Sequence, residues 1–482
     1  MTEPGPGSSN DIACDICVIG AGSGGLSVAA GAVQMGARTV LIEKGKMGGD
    51  CLNYGCVPSK SLIAAAHKAH SHRTARQFGI DSPTPNVDMG RVRDHVREVI
   101  AAIAPHDSVE RFEGLGVTVI NGEARFTGAR TVEAAGRRIG AKRIVVATGS
   151  SPMVPPIEGL DSVPYLTNET VFDLNQPVRH LLVLGGGPIG VELAQAHRRL
   201  GADVTVVEMI VALGNDDPEC AGVVKKCLRK EGITLLEGTR VEKAATAGDD
   251  IVLTVSKNGK TQELRGSHLL IAAGRQPNID ALDLRVAGIE ASPAGISVDA
   301  RLRTSNRRVF AIGDVAGGYQ FTHVAGYHAG IVIRNALSRL PARADHRAVP
   351  WVTYTDPELA HVGLTEAAAR QRHGDRVKVV RWPFAENDRA QTERQTEGLI
   401  KVVLDRRGRV LGATIVGHDA GELLLPWVMM VQGRQKIGVM ASVIAPYPTL
   451  SEVSKRAAGA YYTPSLFSER TRRIVRFLLR FA

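Results

Sequence analysis

One pattern occurs twice in this chain and constrains its fold more than any other feature. The apolar run Asp15-Ile16-Cys17-Val18-Ile19 leads into Gly20-Ala21-Gly22-Ser23-Gly24-Gly25, a stretch of small residues, and then Thr39-Val40-Leu41-Ile42-Glu43. His180-Leu181-Leu182-Val183-Leu184 leads likewise into Gly185-Gly186-Gly187-Pro188-Ile189-Gly190 and on to Val204-Thr205-Val206-Val207-Glu208. Each copy reads as strand, glycine turn, helix, strand, acidic residue. In such a unit the first glycine (Gly20, Gly185) makes the tight turn. The second (Gly22, Gly187) admits a pyrophosphate, and the third (Gly25, Gly190) lets helix and strand pack closely. The helix N-terminus favours an anion, and Glu43 and Glu208 are placed to accept hydrogen bonds from ribose hydroxyls. A single glycine run of this kind is equally compatible with an ordinary tight turn. Two copies, each with 23 positions from first glycine to acid, predict two dinucleotide sites in one chain.

The second feature is Gly48-Gly49-Asp50-Cys51-Leu52-Asn53-Tyr54-Gly55-Cys56-Val57-Pro58-Ser59-Lys60. Four residues separate the two cysteines, a spacing that permits a disulfide if the local backbone distorts. Gly48, Gly49 and Gly55 allow unusual dihedrals and close approach to a ligand. Pro58 suits the first turn of a helix, and a helix N-terminus favours the reactive thiolate. The plain alternative is two buried structural thiols. Cys14 and Cys17 fall on a predicted buried strand, and Cys220 and Cys227 on a polar helical stretch. Six cysteines in 482 residues do not make a disulfide scaffold. None has zinc-ligand spacing with histidine, so no metal site is expected. A cytoplasmic protein with one functional pair fits best.

The length predicts roughly three domains, and a 44% hydrophobic fraction is ordinary for a globular chain. The net charge of +10 comes without a nucleic-acid signature, and basic residues crowd towards the C-terminus. Residues 1–10 read as disordered and lack the apolar core of a signal peptide. No apolar run is long enough to cross a bilayer. Helices are expected over 57–77, over 88–113, and from Thr322, as N-cap, to 337. Val117-Thr118-Val119-Ile120 is a candidate strand. Two echoing strands end in Ala147-Thr148-Gly149-Ser150 and Ala272-Ala273-Gly274-Arg275, each closing one nucleotide unit, with prolines 152, 155 and 156 as the hinge. Arg308-Val309-Phe310-Ala311-Ile312-Gly313 delivers Asp314 at a strand's carboxyl end, where open α/β sheets bind ligands. Asp314 is otherwise a turn residue or cap. From about 346 alternating strands begin, with 398–404 and 410–416 as a hairpin.

These residues together resemble the class I pyridine nucleotide-disulfide oxidoreductases, which include lipoamide dehydrogenase, glutathione reductase and mercuric reductase. The resemblance covers about 11–463. Its most specific element is GGDCLNYGCVPSK, supported by ATG at 147–149, GRQPN from 274 and AIGD at 311–314. It implies an α/β, glutathione reductase-like fold: two Rossmann-like dinucleotide-binding domains and a C-terminal α+β dimerisation domain. The implied divisions are 11–150 with 275–345 for FAD, 151–274 for NAD(P), 346–465 for the interface, and a tail at 466–482. FAD is expected at Gly20, Gly22, Gly25, Glu43, Gly49, Ala124, Thr148, Gly149, Ser150 and Asp314, with Gln320, Phe321, Thr322 and His323 at the flavin ring. Lys60 and Glu192 resemble the ion pair beside the flavin, though each also reads as a plain helix-face charge. Gly185, Gly187, Gly190, Glu208 and Gly274 are expected to hold the nicotinamide nucleotide. Glu208, with Met209-Ile210-Val211 and no arginine after it, predicts NADH over NADPH. The resemblance implies that electrons pass from nicotinamide through FAD to a Cys51–Cys56 disulfide, with Cys56 nearer the ring and Cys51 as exchange thiolate.

The chain also departs from the family. Where a histidine is usual five residues before a glutamate, Pro446-Tyr447-Pro448-Thr449-Leu450-Ser451-Glu452 has Tyr447. The resemblance implies that a homodimer partner supplies Tyr447 and Glu452 to the exchange thiol. A phenol ionising near ~10 cannot shuttle protons around neutrality as imidazole does. Tyrosine there resembles mercuric reductase, but the Cys-Cys pair near that enzyme's C-terminus has no counterpart here. The expected acceptor is a small molecule, either a disulfide or a soft metal ion. Alternatives are a quinone reductase or diaphorase at a membrane, and a flavin-bearing redox sensor. At helical spacing Arg472, Arg473, Arg476 and Arg480 share one face of the tail, and Phe467, Ile474, Leu478 and Phe481 another. That helix fits peripheral contact with an anionic membrane and equally fits packing against its own dimer.

Overall fold

The computed structural model describes residues 11–338 and 340–481; the expectation for residues 1–10 lies outside them. Three sheets organise the chain. In the first, Asp11–Ile19 lies between parallel strands Thr39–Glu43 and Arg137–Val146, with Thr118–Asn121 and Val309–Ala311 outside them. The central residues Ile16, Cys17 and Val18 are fully buried, as continuous apolar strands covered on both faces must be. The register matters for function. Ile19 pairs with both Ile42 and Val146, and Val146 pairs with Ala311. Four strands therefore end level and bring Gly20, Glu43, Ala147 and Ile312 to one edge.

The second sheet repeats the arrangement with parallel strands Thr234–Glu237, Asp203–Glu208, His180–Leu184 and His268–Ile271. Leu184 pairs with both Val207 and Ile271, so Gly185, Glu208 and Ala272 again share an edge. A small antiparallel pair, Ser150–Pro152 with Arg275–Pro277, links the two units. The third sheet has five antiparallel strands and includes the expected hairpin, Leu399–Leu404 with Val410–Gly417. Among the described residues no helix is long and apolar enough to cross a membrane.

Helix boundaries depart from expectation for local reasons. The helix expected over 57–77 runs Cys56–Thr74 and tightens into a 3-10 turn ending at Gly79. The one expected over 88–113 is two helices, Met89–Ile103 and Val109–Gly114. Pro105 removes a backbone donor between them. Asp88 and Ser108 each cap a helix by accepting from the backbone N–H three residues on, at 3.1 and 3.2 Å. Thr322 is not an N-cap. Phe321 takes that position with extended dihedrals, and Thr322 is the first residue of Thr322–Ala336. Its hydroxyl is directed elsewhere, to Cys56.

A buried charge cluster locks the second sheet's unit to the third sheet. The Lys401 ammonium, on Leu399–Leu404, donates to Asp217 Oδ1 and Oδ2 at 3.0 and 2.8 Å and lies 3.1 and 2.8 Å from Glu219 and Glu366. Asp217 caps helix Pro218–Lys230. Removing one partner of a buried pair leaves an uncompensated charge. Lys401→Met is expected to cost about 3–5 kcal/mol, read as a lower urea midpoint. The hydrogen bond from Lys401 holds the Glu366 carboxyl down at about 2. That stability is present above the ordinary glutamate value of 4.5 and is lost as pH falls towards about 2. The acid limb of the unfolding profile should therefore flatten in Lys401→Met.

Candidate active site

The two glycine turns fold almost identically. A Cβ on Gly25 would stand 1.8 Å from the Gly20 carbonyl oxygen, and one on Gly190 would stand 2.0 Å from that of Gly185. Gly20 and Gly185 have φ of +103° and +115° and pass within a missing Cβ of Ala147 and Ala272. Gly22 and Gly187 occupy the N-cap positions of the two helices. The acids are held alike. Glu43 accepts from the backbone N–H of Ala21 and Gly45 at 2.6 and 2.7 Å, and Glu208 from those of Gly186 and Ile210 at 2.8 Å each.

A cleft of about 1200 Å³ takes in both turns and the cysteine segment. Its walls include Gly20, Gly22, Glu43, Gly49, Cys51, Cys56, Lys60, Thr148, Gly149, Ser150, Gly185, Gly187, Glu192, Glu208, Gly274, Asp314, Gln320, Phe321, Thr322 and His323. Ala124 lines a neighbouring cavity of about 190 Å³ with Glu43 and Thr148. Gly25 and Gly190 stand behind the cleft wall as packing glycines. Tyr447 and Glu452 are not in the cleft of their own chain. Tyr447 is 69% exposed and donates its hydroxyl to Asp388 at 3.0 Å.

The cysteine segment lies directly on the first turn. Gly48 N–H donates to the Ala21 carbonyl at 3.0 Å, and a Cβ on Gly49 would stand 2.7 Å from Gly22 Cα. Cys51 belongs to helix Gly49–Asn53 and Cys56 opens helix Cys56–Thr74; both are thiols here. They differ in character. The hydrogen bond from Cys51 draws the Cys56 thiol down to about 6, aided by Thr322, whose Oγ1 lies 3.5 Å from Cys56 Sγ, and by the Lys60 charge. The same Cys51–Cys56 bond, with burial, pushes Cys51 strongly up. The surroundings thus favour the negative charge on Cys56 and the proton on Cys51.

Lys60 donates to Glu192 at 2.8 Å and lies 4.1 Å from the Tyr354 ring centroid; the Tyr354 N–H donates to the other Glu192 oxygen at 2.9 Å. Asp314 accepts from Ser150 Oγ at 2.6 Å, and burial pushes its carboxyl up. Arg275 donates to the same Ser150 hydroxyl at 2.8 Å and its carbonyl at 2.7 Å. The His323 ring stacks on Phe321 at 5.2 Å, and its Nε2–H donates to the Pro350 carbonyl at 2.9 Å. Sequence reasoning missed Tyr354, Arg275, Asn168 and Asn278 as cleft residues. Only Arg275 and Asn278 carried a signal, the GRQPN run.

A family model described as pyridine nucleotide-disulphide oxidoreductase matches residues 14–329, and its dimerisation domain matches 349–458. The chain belongs to this family. It is 36% identical over 446 residues to a mercuric reductase of Bacillus cereus, covering 92% of this chain and 70% of that protein. It is 37% identical over 469 residues to a dihydrolipoyl dehydrogenase of Thermus scotoductus, covering 94% and 98%. A solved structure of similar fold is the Cu(II) complex of the HOCl-induced flavoprotein disulfide reductase RclA from Escherichia coli. Its TM-score is 0.84 at 28% identity, covering 93% of this chain and 99% of that one. The chain is accordingly a flavoprotein disulfide oxidoreductase with a dimerisation domain, and FAD and a pyridine nucleotide are the cofactors expected of its family.

The cleft fits those groups. At Gly149, with φ +68°, and at Gly187 a Cβ would meet nothing within 4 Å, so bare backbone faces the cleft where a phosphate or ring needs close approach. Thr322→Val should remove the hydroxyl donor from Cys56. The ionisation midpoint of that thiol, followed by ultraviolet thiolate absorbance of the reduced protein, should rise by about one pH unit.

Proposed function

We propose that this protein carries electrons from NADH, through FAD, to a Cys51–Cys56 disulfide, and that Cys51 passes them to a soft metal ion or a disulfide. The observation that carries this reading is the pair of unlike sulfurs sharing one cleft with both nucleotide turns. Bound FAD supplies the two-electron relay between nicotinamide and sulfur. The chain's residues do the rest. Breaking the disulfide takes up two electrons and one proton, leaving Cys56 as thiolate and Cys51 as thiol. Thr322 and Lys60 stabilise the charge on Cys56, and Glu192 with Tyr354 orients Lys60. Gly25 and Gly190 keep each helix close enough for its N-terminus to meet a pyrophosphate. Glu208 favours the free ribose of NADH and repels the extra phosphate of NADPH.

In a homodimer, Tyr447 and Glu452 complete the site across the interface. The bond to Asp388 raises the Tyr447 phenol above its ordinary value, so proton shuttling near neutrality is poor. That favours a soft cation, which thiolates suit, over lipoamide- or glutathione-type disulfides. Relatives named mercuric reductase and the Cu(II) complex of RclA lend support. Anaerobic NADH titration should bring up a long-wavelength absorption band after two electrons. Turnover with Hg(II) should then exceed turnover with oxidised lipoamide or glutathione, and NADPH should work less well than NADH. Cys51→Ser should abolish metal and disulfide reduction while leaving reduction of artificial dyes. Metal and disulfide reduction retained in Cys51→Ser, or flavin bleaching with the disulfide intact, overturns the reading.

A peripheral membrane contact is a second part of the reading. Helix Glu469–Leu478 has no buried residue, and Ile474, Val475, Phe477, Leu478 and Phe481 are all exposed beside its arginines. A basic amphipathic helix of this kind suits an anionic bilayer. Deleting residues 466–482 should abolish co-sedimentation with phosphatidylglycerol vesicles. Unchanged sedimentation, or dissociation of a dimer on deletion, refers the helix to other packing.

A further inference from the structure

Asp50, the residue before Cys51, is a charge in the cleft that the scheme above does not use. Two separate parts of the chain converge on it. Arg275, from the strand linking the two nucleotide units, pairs with its Oδ1 at 3.1 Å. Asn168, only 6% exposed, donates its side-chain amide to the same oxygen and to the Tyr54 carbonyl, both at 3.2 Å. Asn168 thus grips the turn carrying Cys51 on either side of the sulfur. Arg275 also donates to Ser150, whose hydroxyl donates to Asp314. One guanidinium therefore stands between two carboxylates, one beside the thiols and one on the nucleotide edge.

We propose that Asp50 is a positioning residue for the Cys51–Cys56 pair: its carboxylate anchors the redox turn to Arg275 and Asn168, and its charge, balanced by Arg275, sets the disulfide–dithiol equilibrium. This rests on reading the two cysteines as the reacting pair. The disulfide is neutral, whereas the reduced pair carries a thiolate on Cys56. A carboxylate alongside disfavours that anion, and an adjacent guanidinium or ammonium favours it. Asp50 and Lys60 act on the pair directly, Arg275 through its ion pair with Asp50, and Asp314 through Arg275. Asp50 acts electrostatically against both thiols. Removing its charge therefore favours the reduced form, and removing that of Arg275 favours the oxidised form.

The test equilibrates FAD-loaded protein with defined ratios of reduced and oxidised dithiothreitol. In that exchange the reagent's dithiol closes to its cyclic disulfide as the Cys51–Cys56 bond opens. Alkylation and mass spectrometry then count the reduced fraction. Asp50→Asn should shift the equilibrium constant about threefold towards the dithiol, and Arg275→Gln about threefold towards the disulfide. A purely steric anchor would not produce opposite signs. Should Arg275→Gln lose its flavin, Asp50→Asn alone decides. An equilibrium unmoved, or moved towards disulfide, in Asp50→Asn overturns the proposal. Failure here is distinct from failure of the functional reading, which Cys51→Ser tests by turnover.

Discussion

The molecule depends on a backbone-to-backbone contact between two glycine segments. Gly48 and Gly49, with φ of +85° and +60°, press the cysteine segment against the turn at Gly22. The contact is so close that a single Cβ at Gly49 would collide with the Gly22 backbone. Left-handed dihedrals and the lack of a side chain are both needed, and only glycine supplies both without strain. This contact makes a thiol pair and a nucleotide cradle parts of one site. The level strand ends beneath it bring Gly20, Glu43, Ala147 and Ile312 to that same edge.

Charge in the cleft is arranged in balanced groups. Lys60 faces Glu192, Arg275 stands between Asp50 and Asp314, and Glu43 and Glu208 are each satisfied by two backbone amides. Partly buried charges persist only where they are paired or hydrogen-bonded. The consequence is asymmetry at sulfur. Cys56 is stabilised as an anion by a hydroxyl, a thiol and an ammonium, while Cys51 keeps its proton and donates a hydrogen bond to Cys56. Two identical side chains five positions apart acquire opposite character from what surrounds them.

Much of this was legible in the sequence because the informative contacts are local or periodic. Gly20, Gly25 and Glu43 interact within one strand–turn–helix–strand unit, so their spacing carries the geometry, and repetition at Gly185, Gly190 and Glu208 strengthens it. The cysteine segment reads the same way. Tyr354, Asn168 and the Asp50–Arg275 pair were not legible, since each acts on residues more than a hundred positions away and has no period. Thr322 misled for a related reason. A threonine at a helix start is ordinarily a cap, but here an extended Phe321 fills that position and the hydroxyl is free to meet a sulfur from a distant helix. Pro105 interrupts the helix expected over 88–113, and Ser108 caps a new one.

Tyr447 lies outside the cleft of its own chain. Its hydroxyl proton is already committed to Asp388, so the phenol oxygen offers only lone pairs to anything that approaches. An imidazole bonded in the same way would still keep a second ring nitrogen to take or give a proton. The substitution thus changes the kind of group presented, from a two-ended proton carrier to a one-ended electron-pair donor backed by a carboxylate. Such a group repels anions and meets cations or the hydrogen of a thiol, whatever face it is brought against. Under the proposed reading that face is the exchange thiol of a second copy, and the chemistry of the acceptor is then decided by quaternary contact.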